Sequence, residues 1–272
     1  MVQSSIAGSL RELLRVIHTW TISRLCVSVT AQVLMLLLLN QLLLQLKLSD
    51  ILGTLFLSEA LLLLMVSPYL SSRALATQWH ICTSEEPLLP STMPSASTFS
   101  AILIGAQIPL IIFVVLSTLA FSVFVPSLID VQNATMFFLA VTLFVCILLG
   151  ASIGALGWRI FYHQVFAVEF AYFIILVLIG SVFLLSPLNR WLDSLLIAGR
   201  FSIISAFLSI NPLIALCHLL EIDIFRTPYL YKLTPIPSHL FIYPKWYAVC
   251  ACQASICFLC LGAAFRIHLK PS

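Results

Sequence analysis

The chain reads as an all-α, polytopic transmembrane helical bundle, and three observations predict it. Apolar residues fill 61% of its 272 positions and charged residues only 8%, where ordinary globular chains carry about 25% charge. Six stretches stay apolar for roughly the 20 residues that a helix needs to cross hydrocarbon. The segments between those stretches hold most of the charged residues. A water-soluble globule is excluded, and helix is the form such spans take because lipid offers the backbone no hydrogen-bond partners.

Residues 1–20 open the chain as an amphipathic segment. Ile6, Leu10, Leu13, Leu14 and Ile17 recur at helical spacing, with Arg11, Glu12 and Arg15 on the remaining arc. That pattern predicts an interfacial helix lying on the membrane surface. It lacks the basic region, apolar core and small-residue cleavage site of a secretory signal.

The six spans follow at about 25–46, 51–70, 101–125, 135–158, 165–185 and 247–265. Lys47 to Asp50 make a tight turn between the first two. A polar segment over 71–100, with Pro87, Pro90 and Pro94, separates the second from the third. Pro126 ends the third span, and Arg159 to Gln164 turn the chain from the fourth into the fifth. Residues 186–246 are polar at both ends yet strongly apolar over 195–220, where Asn211-Pro212 interrupts the run. Proline removes a backbone donor and clashes with the preceding turn, so this stretch reads as a re-entrant or interfacial helical pair. A full crossing there would make seven spans and move the carboxyl end outside. The whole of 1–272 is one membrane domain.

Basic residues set the orientation. Six spans place Arg11, Arg15, Arg24, Arg73, Arg159, Arg266 and Lys270 on one side, which makes both termini cytoplasmic. The net charge of +3 is small and scattered, so nothing suggests nucleic acid.

Enzyme signatures are missing from the sequence. There is no phosphate loop ending in Gly-Lys-Ser/Thr, no His-Glu-x-x-His pair and no Gly-x-Ser-x-Gly elbow, so no catalytic residue and no metal ligand is assigned. Most of the eight cysteines fall in apolar spans, where cysteine behaves as a small hydrophobe.

A few residues stand out against the apolar background. Glu59 falls near the middle of the second span, where a charge is expensive and marks either a functional group or a hydrogen-bonded one. Asn40 and Gln41 in the first span sit at nearly the same depth, so a hydrogen bond from one of them to Glu59 is expected. Glu169, near the start of the fifth span, is expected to snorkel or to pair with Arg159. Gly150, Gly154 and Gly157 put small residues on one face of the fourth span, a surface for close helix packing within the chain or against a second copy.

Taken together, the order of parts resembles the membrane permeases of ATP-binding-cassette transporters, type-two exporter class. The resemblance rests on the interfacial helix, the six spans and the polar segment after the second span. Local residues that carry it are Ser67-Pro68, Arg73, Gln78-Trp79-His80, Cys82-Thr83-Ser84-Glu85, Leu88-Leu89, Pro94 and Gly105-Ala106. Later come Asn211-Pro212, Ala215-Leu216, Asp223 with Arg226, Tyr231, and Tyr243-Pro244-Lys245-Trp246. The run departs from the family at Gln78, Cys82 and Ala106, where glutamate, glycine and lysine are usual.

The resemblance implies a permease subunit without an ATP site of its own, ATP and Mg being bound by a separate cytoplasmic ATPase subunit. Arg73, Gln78, His80, Thr83, Glu85 and Glu86 would form the coupling surface for that subunit, on a short helix from about Ser71 to Thr83 with Glu85 and Glu86 just after it. Two copies, or two related permeases, would enclose the pathway, with Glu59 close to it, in a bacterial-type inner membrane. Two other classes stay open: a non-transporting anchor or assembly subunit with a degenerate permease fold, and a secondary transporter using Glu59.

Overall fold

The computed structural model describes residues 51–85, 96–124, 133–187, 189–195, 197–223, 225 and 241–268. The amphipathic segment 1–20, the first span, Asn40, Gln41 and Glu86 lie outside the described residues.

Every regular element among the described residues is a helix: α1 (Ile51–Glu85), α2 (Ala96–Phe124), α3 (Asn133–Phe161), α4 (Gln164–Gly180), a 3₁₀ turn (Ser181–Leu185), α5 (Asn189–Ser194), α6 (Ile197–Ile210), α7 (Ile214–Leu219) and α8 (Trp246–His268). Five of them, α1, α2, α3, α4 and α8, are long and apolar enough to cross a membrane. The chain is therefore an all-helical, multi-pass membrane protein.

Helix α3 is the hub and packs against α1, α2, α4 and α8. Its small residues explain the position. A Cβ placed on Gly154 would stand 2.5 Å from Ser71 Oγ and 2.7 Å from the backbone of Pro68. One on Gly150 would meet Ser67 Cβ at 3.0 Å, and one on Gly157 would meet the Ala167 carbonyl oxygen at 2.7 Å. The backbones of α1 and α4 thus press directly onto α3, as small-xxx-small faces allow. The glycine face is filled within the chain.

Side-chain contacts also fix the helix directions. Gly150 faces Leu64–Ser67 and Gly154 faces Pro68–Ser71, so α1 and α3 run parallel. In α2, Gln107 meets Ser67 and Ser117 meets Glu59, so α2 runs antiparallel to α1. At one end of the bundle Phe99 of α2 touches Arg159 of α3 and Phe265 of α8. At the other end Phe138 of α3 stacks on Trp246 of α8, ring centres 4.6 Å apart. A second core gathers near this end from Val182, Leu185, Leu192, Ile204, Leu208, Ile214, Phe225 and Val249.

Three boundaries differ from the sequence reading, each for a physical reason. The second span does not stop at Leu70; α1 continues unbroken to Glu85. The helix expected over about 71–83 is thus continuous with the span, not separate from it: the Ser71 and Ser72 hydroxyls donate back to carbonyls of Ser67, Pro68 and Tyr69 at 3.0–3.2 Å and satisfy themselves inside the helix. Both serines are buried. Arg159 is likewise no turn residue: it is buried in the last turn of α3, and the chain reverses at Tyr162, whose φ of 50° is left-handed. Finally, the fifth span ends as helix at Gly180 and tightens into the 3₁₀ turn.

Candidate functional site

Polar side chains inside the bundle fall into three groups. The first joins α1 to α2 at Glu59, which is 1% exposed. Ser117 donates to Glu59 Oε1 at 2.7 Å, and its hydroxyl also lies 3.1 Å from the Val114 carbonyl. One hydroxyl proton therefore faces two acceptors. A carboxylate at 59 takes that proton. A carboxylic acid at 59 can instead donate to Ser117, which then passes its own proton to Val114. The arrangement holds either protonation state, while Oε2 meets no donor among the described residues. Ser117 is a partner that the sequence did not suggest; the expected partners Asn40 and Gln41 lie outside the described residues.

The second group ties α1, α2 and α3 together eight residues further along α1. Ser67 Oγ lies 2.6 Å from the Ile147 carbonyl and 2.9 Å from Gln107 Oε1, and Gln107 Nε2 donates to the Ser67 carbonyl at 3.3 Å. Both residues are buried. The knot sits beside Gly150, whose missing side chain lets Ser67 reach the α3 backbone.

The third group surrounds the helix break at Asn211-Pro212. Asn211 donates from Nδ2 to the Ile179 carbonyl at 2.8 Å and accepts from the Leu213 N–H at 3.0 Å. Gln253, buried in α8, donates from Nε2 to the carbonyls of Ser209 and Ile210 at 3.2 and 2.6 Å. These are carbonyls at the end of α6 that the break deprives of helical partners. Nearby, Tyr243 donates to Asp223 at 2.9 Å. Burial, then that hydrogen bond, pushes the Tyr243 hydroxyl's ionisation above the ordinary tyrosine range.

The coupling residues read from the sequence separate into two places. Gln78, His80, Thr83 and Glu85 belong to the last two turns of α1. Arg73 lies below them on an outward face, its Nη1 donating to the Tyr69 hydroxyl at 3.1 Å. Levels follow from the glycine contacts. Gly154 touches Ser71, so the turn at Tyr162 stands level with about residue 79 of α1 at the 1.5 Å helical rise. The remaining residues of α1 project about 9 Å beyond that turn.

Arg159 does not pair with Glu169. Its guanidinium lies 5.0 Å from the centre of the Phe99 ring, a cation–π contact, and Glu169 is exposed on α4. Among the described residues no three His, Cys, Asp or Glu side chains gather to hold a metal, and Cys146, Cys217, Cys250, Cys252, Cys257 and Cys260 are free thiols.

Sequence reasoning passed over Gln107, Ser117 and Gln253, and gave Ser67 no bonding role. Their signal was present: each is a polar residue inside an apolar run. Attention to ionisable groups alone passes over them. No protein-family model, characterised protein or solved structure matches the chain.

Proposed function

We propose that this protein is the permease subunit of an ATP-driven exporter, moving a hydrophobic, amphipathic or polymeric substrate across a bacterial-type inner membrane. It has no ATP site of its own in this reading, and a cytoplasmic ATPase subunit binds ATP and Mg. The observation that carries the reading is α1 itself. One unbroken helix of 35 residues runs from the buried Glu59 to the projecting turn that holds Gln78, His80, Thr83 and Glu85. A partner that closes on the projecting end moves a rigid rod whose other end holds the intramembrane carboxyl group. Closure then favours one helix arrangement over another by no more than its differential binding energy.

In this reading the chain crosses six times and both termini are cytoplasmic. The 3₁₀ turn that follows α4 and the start of α8 share one core at the same end of the bundle. A chain that leaves from and returns to one side is what this reading expects, with α6 and α7 as the re-entrant pair. Gln253, which binds the end of α6, lies seven residues into α8, about 10 Å from its start, and in this reading that is how far the broken helix dips.

The test is purification of the tagged chain in mild detergent, with mass spectrometry of bound proteins. A stoichiometric subunit with a phosphate loop is the expected result. Replacing Gln78, His80, Thr83, Glu85 and Glu86 by alanine keeps α1 helical and releases that subunit. A well-folded chain that brings down no ATPase ends the permease reading.

A further inference from the structure

The helices around Glu59 offer it hydrogen bonds but no opposite charge. Helices α2, α3, α4 and α7 pack against α1. Gly154 touches Ser71, and α1 runs parallel to α3, so Glu59 stands level with Thr142. No ionisable residue occurs anywhere in α2. On α3, Cys146 is a free thiol, and Arg159 lies seventeen residues from Thr142 towards the other end of the bundle, about 25 Å away. On α4, Gly157 touches Ala167, which puts Tyr172 about 15 Å and Glu169 about 20 Å from Glu59 in the same direction. Arg73, on α1 itself, is about 21 Å away.

Helix α7 carries Cys217, a free thiol, and His218, whose Nδ1 meets no hydrogen-bond partner among the described residues. The ion pair among those residues joins Arg200 to Asp193, so His218 does not pair with Glu59. Sequence covers the remaining span. Residues 25–46 contain no lysine, arginine or histidine. Asn40 or Gln41 can give Oε2 a hydrogen bond from there, but both are neutral. A buried carboxylate stays ionised when an opposite charge stands close to it, and none of the spans carries one at this depth.

The hydrogen bonds around Glu59 suit a proton that comes and goes. Ser117 Oγ lies 2.7 Å from Glu59 Oε1 and 3.1 Å from the Val114 carbonyl, and that carbonyl also accepts from Thr118 at 2.6 Å. As an acid, Glu59 donates to Ser117, and Ser117 turns its own proton to Val114. When Glu59 gives its proton up, the Ser117 hydroxyl rotates to the carboxylate, and Thr118 still holds the Val114 carbonyl. Ser117, Thr118 and Val114 keep a partner in either state.

We propose that Glu59 is a proton-binding site, occupied while α1 and α2 are closed on each other as they are here, and emptied into water when they part. Glu59 is eight residues from the start of α1, and Ser117 is seven from the end of α2. About 12 Å of helix contact therefore separates the site from that end of the bundle, and parting of the two helix ends wets the carboxyl group. The proton leaves to water, and the carboxylate stays hydrated until a proton returns. Because the closed form holds one proton more, acid favours closure and rising pH favours opening. The inference goes beyond the permease reading and needs no ATPase.

Two signals followed against pH on the full chain in nanodiscs test it. Infrared spectroscopy reads the carbonyl stretch of a neutral carboxylic acid, assigned to Glu59 by its loss in Glu59→Gln. Alkylation by a water-soluble maleimide reads opening at Leu55→Cys, a buried position one turn before Glu59. Each rate is divided by that of the same cysteine in the Glu59→Gln background at the same pH, which removes the thiol's own pH dependence. The Glu59 acid band is expected at neutral pH, displaced in Ser117→Ala and fading as pH rises. Over that range the rate ratio should climb by up to about tenfold per pH unit, the slope for one proton released. Val114→Cys, buried on α2 one turn before Ser117, repeats the measurement from the facing helix and replaces Leu55→Cys should that variant fail to fold. A folded chain without the acid band at neutral pH holds a carboxylate in the closed bundle and overturns the site. A ratio that stays flat while pH rises overturns it as well, because the proton then does not govern the α1–α2 contact.

Discussion

Proline behaves differently in two halves of this bundle. Pro68 and Pro109 lie inside helices that run on without interruption, whereas Asn211-Pro212 separates α6 from α7. Proline removes a backbone donor in both settings. What differs is the partner supply. Around Pro68 the neighbouring side chains act between helices: Ser67 reaches α3, and Gln107 binds Ser67 from α2. Around Pro212 they act on the broken backbone: Asn211 takes the Leu213 N–H, and Gln253 takes the carbonyls of Ser209 and Ile210. A proline in a membrane helix therefore marks a break when amide side chains stand ready to receive the freed backbone groups. It is tolerated within a helix when close packing holds the helix on both sides of it.

The largest effect expected from disturbing this contrast is at Gly154. The helix around Pro68 is held by backbone contact with α3, and any side chain at 154 collides with the Pro68 backbone at 2.7 Å. Backbone cannot step aside as a flexible side chain can. Gly154→Val should cost about 3 kcal/mol, the upper part of the range for overpacked cores, and abolish a folded, monodisperse peak in detergent. Gly199 and Gly262 have nothing within 4 Å of an added Cβ, so alanine there should leave thermal unfolding unchanged. A Gly154→Val protein that melts like the Gly262→Ala control would refute the account of why α1 stays whole.

A middle-sized effect is expected at the break. Gln253→Leu fills the same space but leaves two carbonyls at the end of α6 without their donor. An unsatisfied buried group costs about 1–3 kcal/mol. The loss should appear as faster amide exchange over 206–217, with α1 to α3 unaffected. Exchange that rises equally throughout the bundle would mean that Gln253 supports the whole fold rather than the break.

Much of this architecture was legible from residue type alone, for reasons that particular positions make clear. Helices α2, α3 and α4 announce themselves because long runs of apolar residues dominate them, and the glycine face of α3 is visible as a spacing. Its partner is not visible, because residue type shows that Pro68 to Ser71 can be helical but not that this helix packs on the face of Gly150 and Gly154. Arg159 misleads similarly: a charge suggests a turn, but the Phe99 face gives the guanidinium a buried place. Glu59 stood out by its charge. Its partner Ser117 did not, since serine is common in apolar helices and only its position across from Glu59 gives it a role.

The smallest effect separates the two kinds of polar group most sharply. Ser67 and Gln107 join intact helices, and a membrane interhelical hydrogen bond averages about 0.6 kcal/mol. Ser67→Ala and Gln107→Leu should each lower stability by about that amount. Because the two residues bond to one another, the double variant should lose less than the sum of the single losses. Ser67 also reaches the Ile147 carbonyl, so its single loss should exceed that of Gln107. Unfolding in mixed micelles, followed through a double-mutant cycle, measures this coupling. A coupling near zero would mean that the glycine contact alone holds α1 to α3, and the contrast between the two halves would reduce to packing on one side and hydrogen bonding on the other.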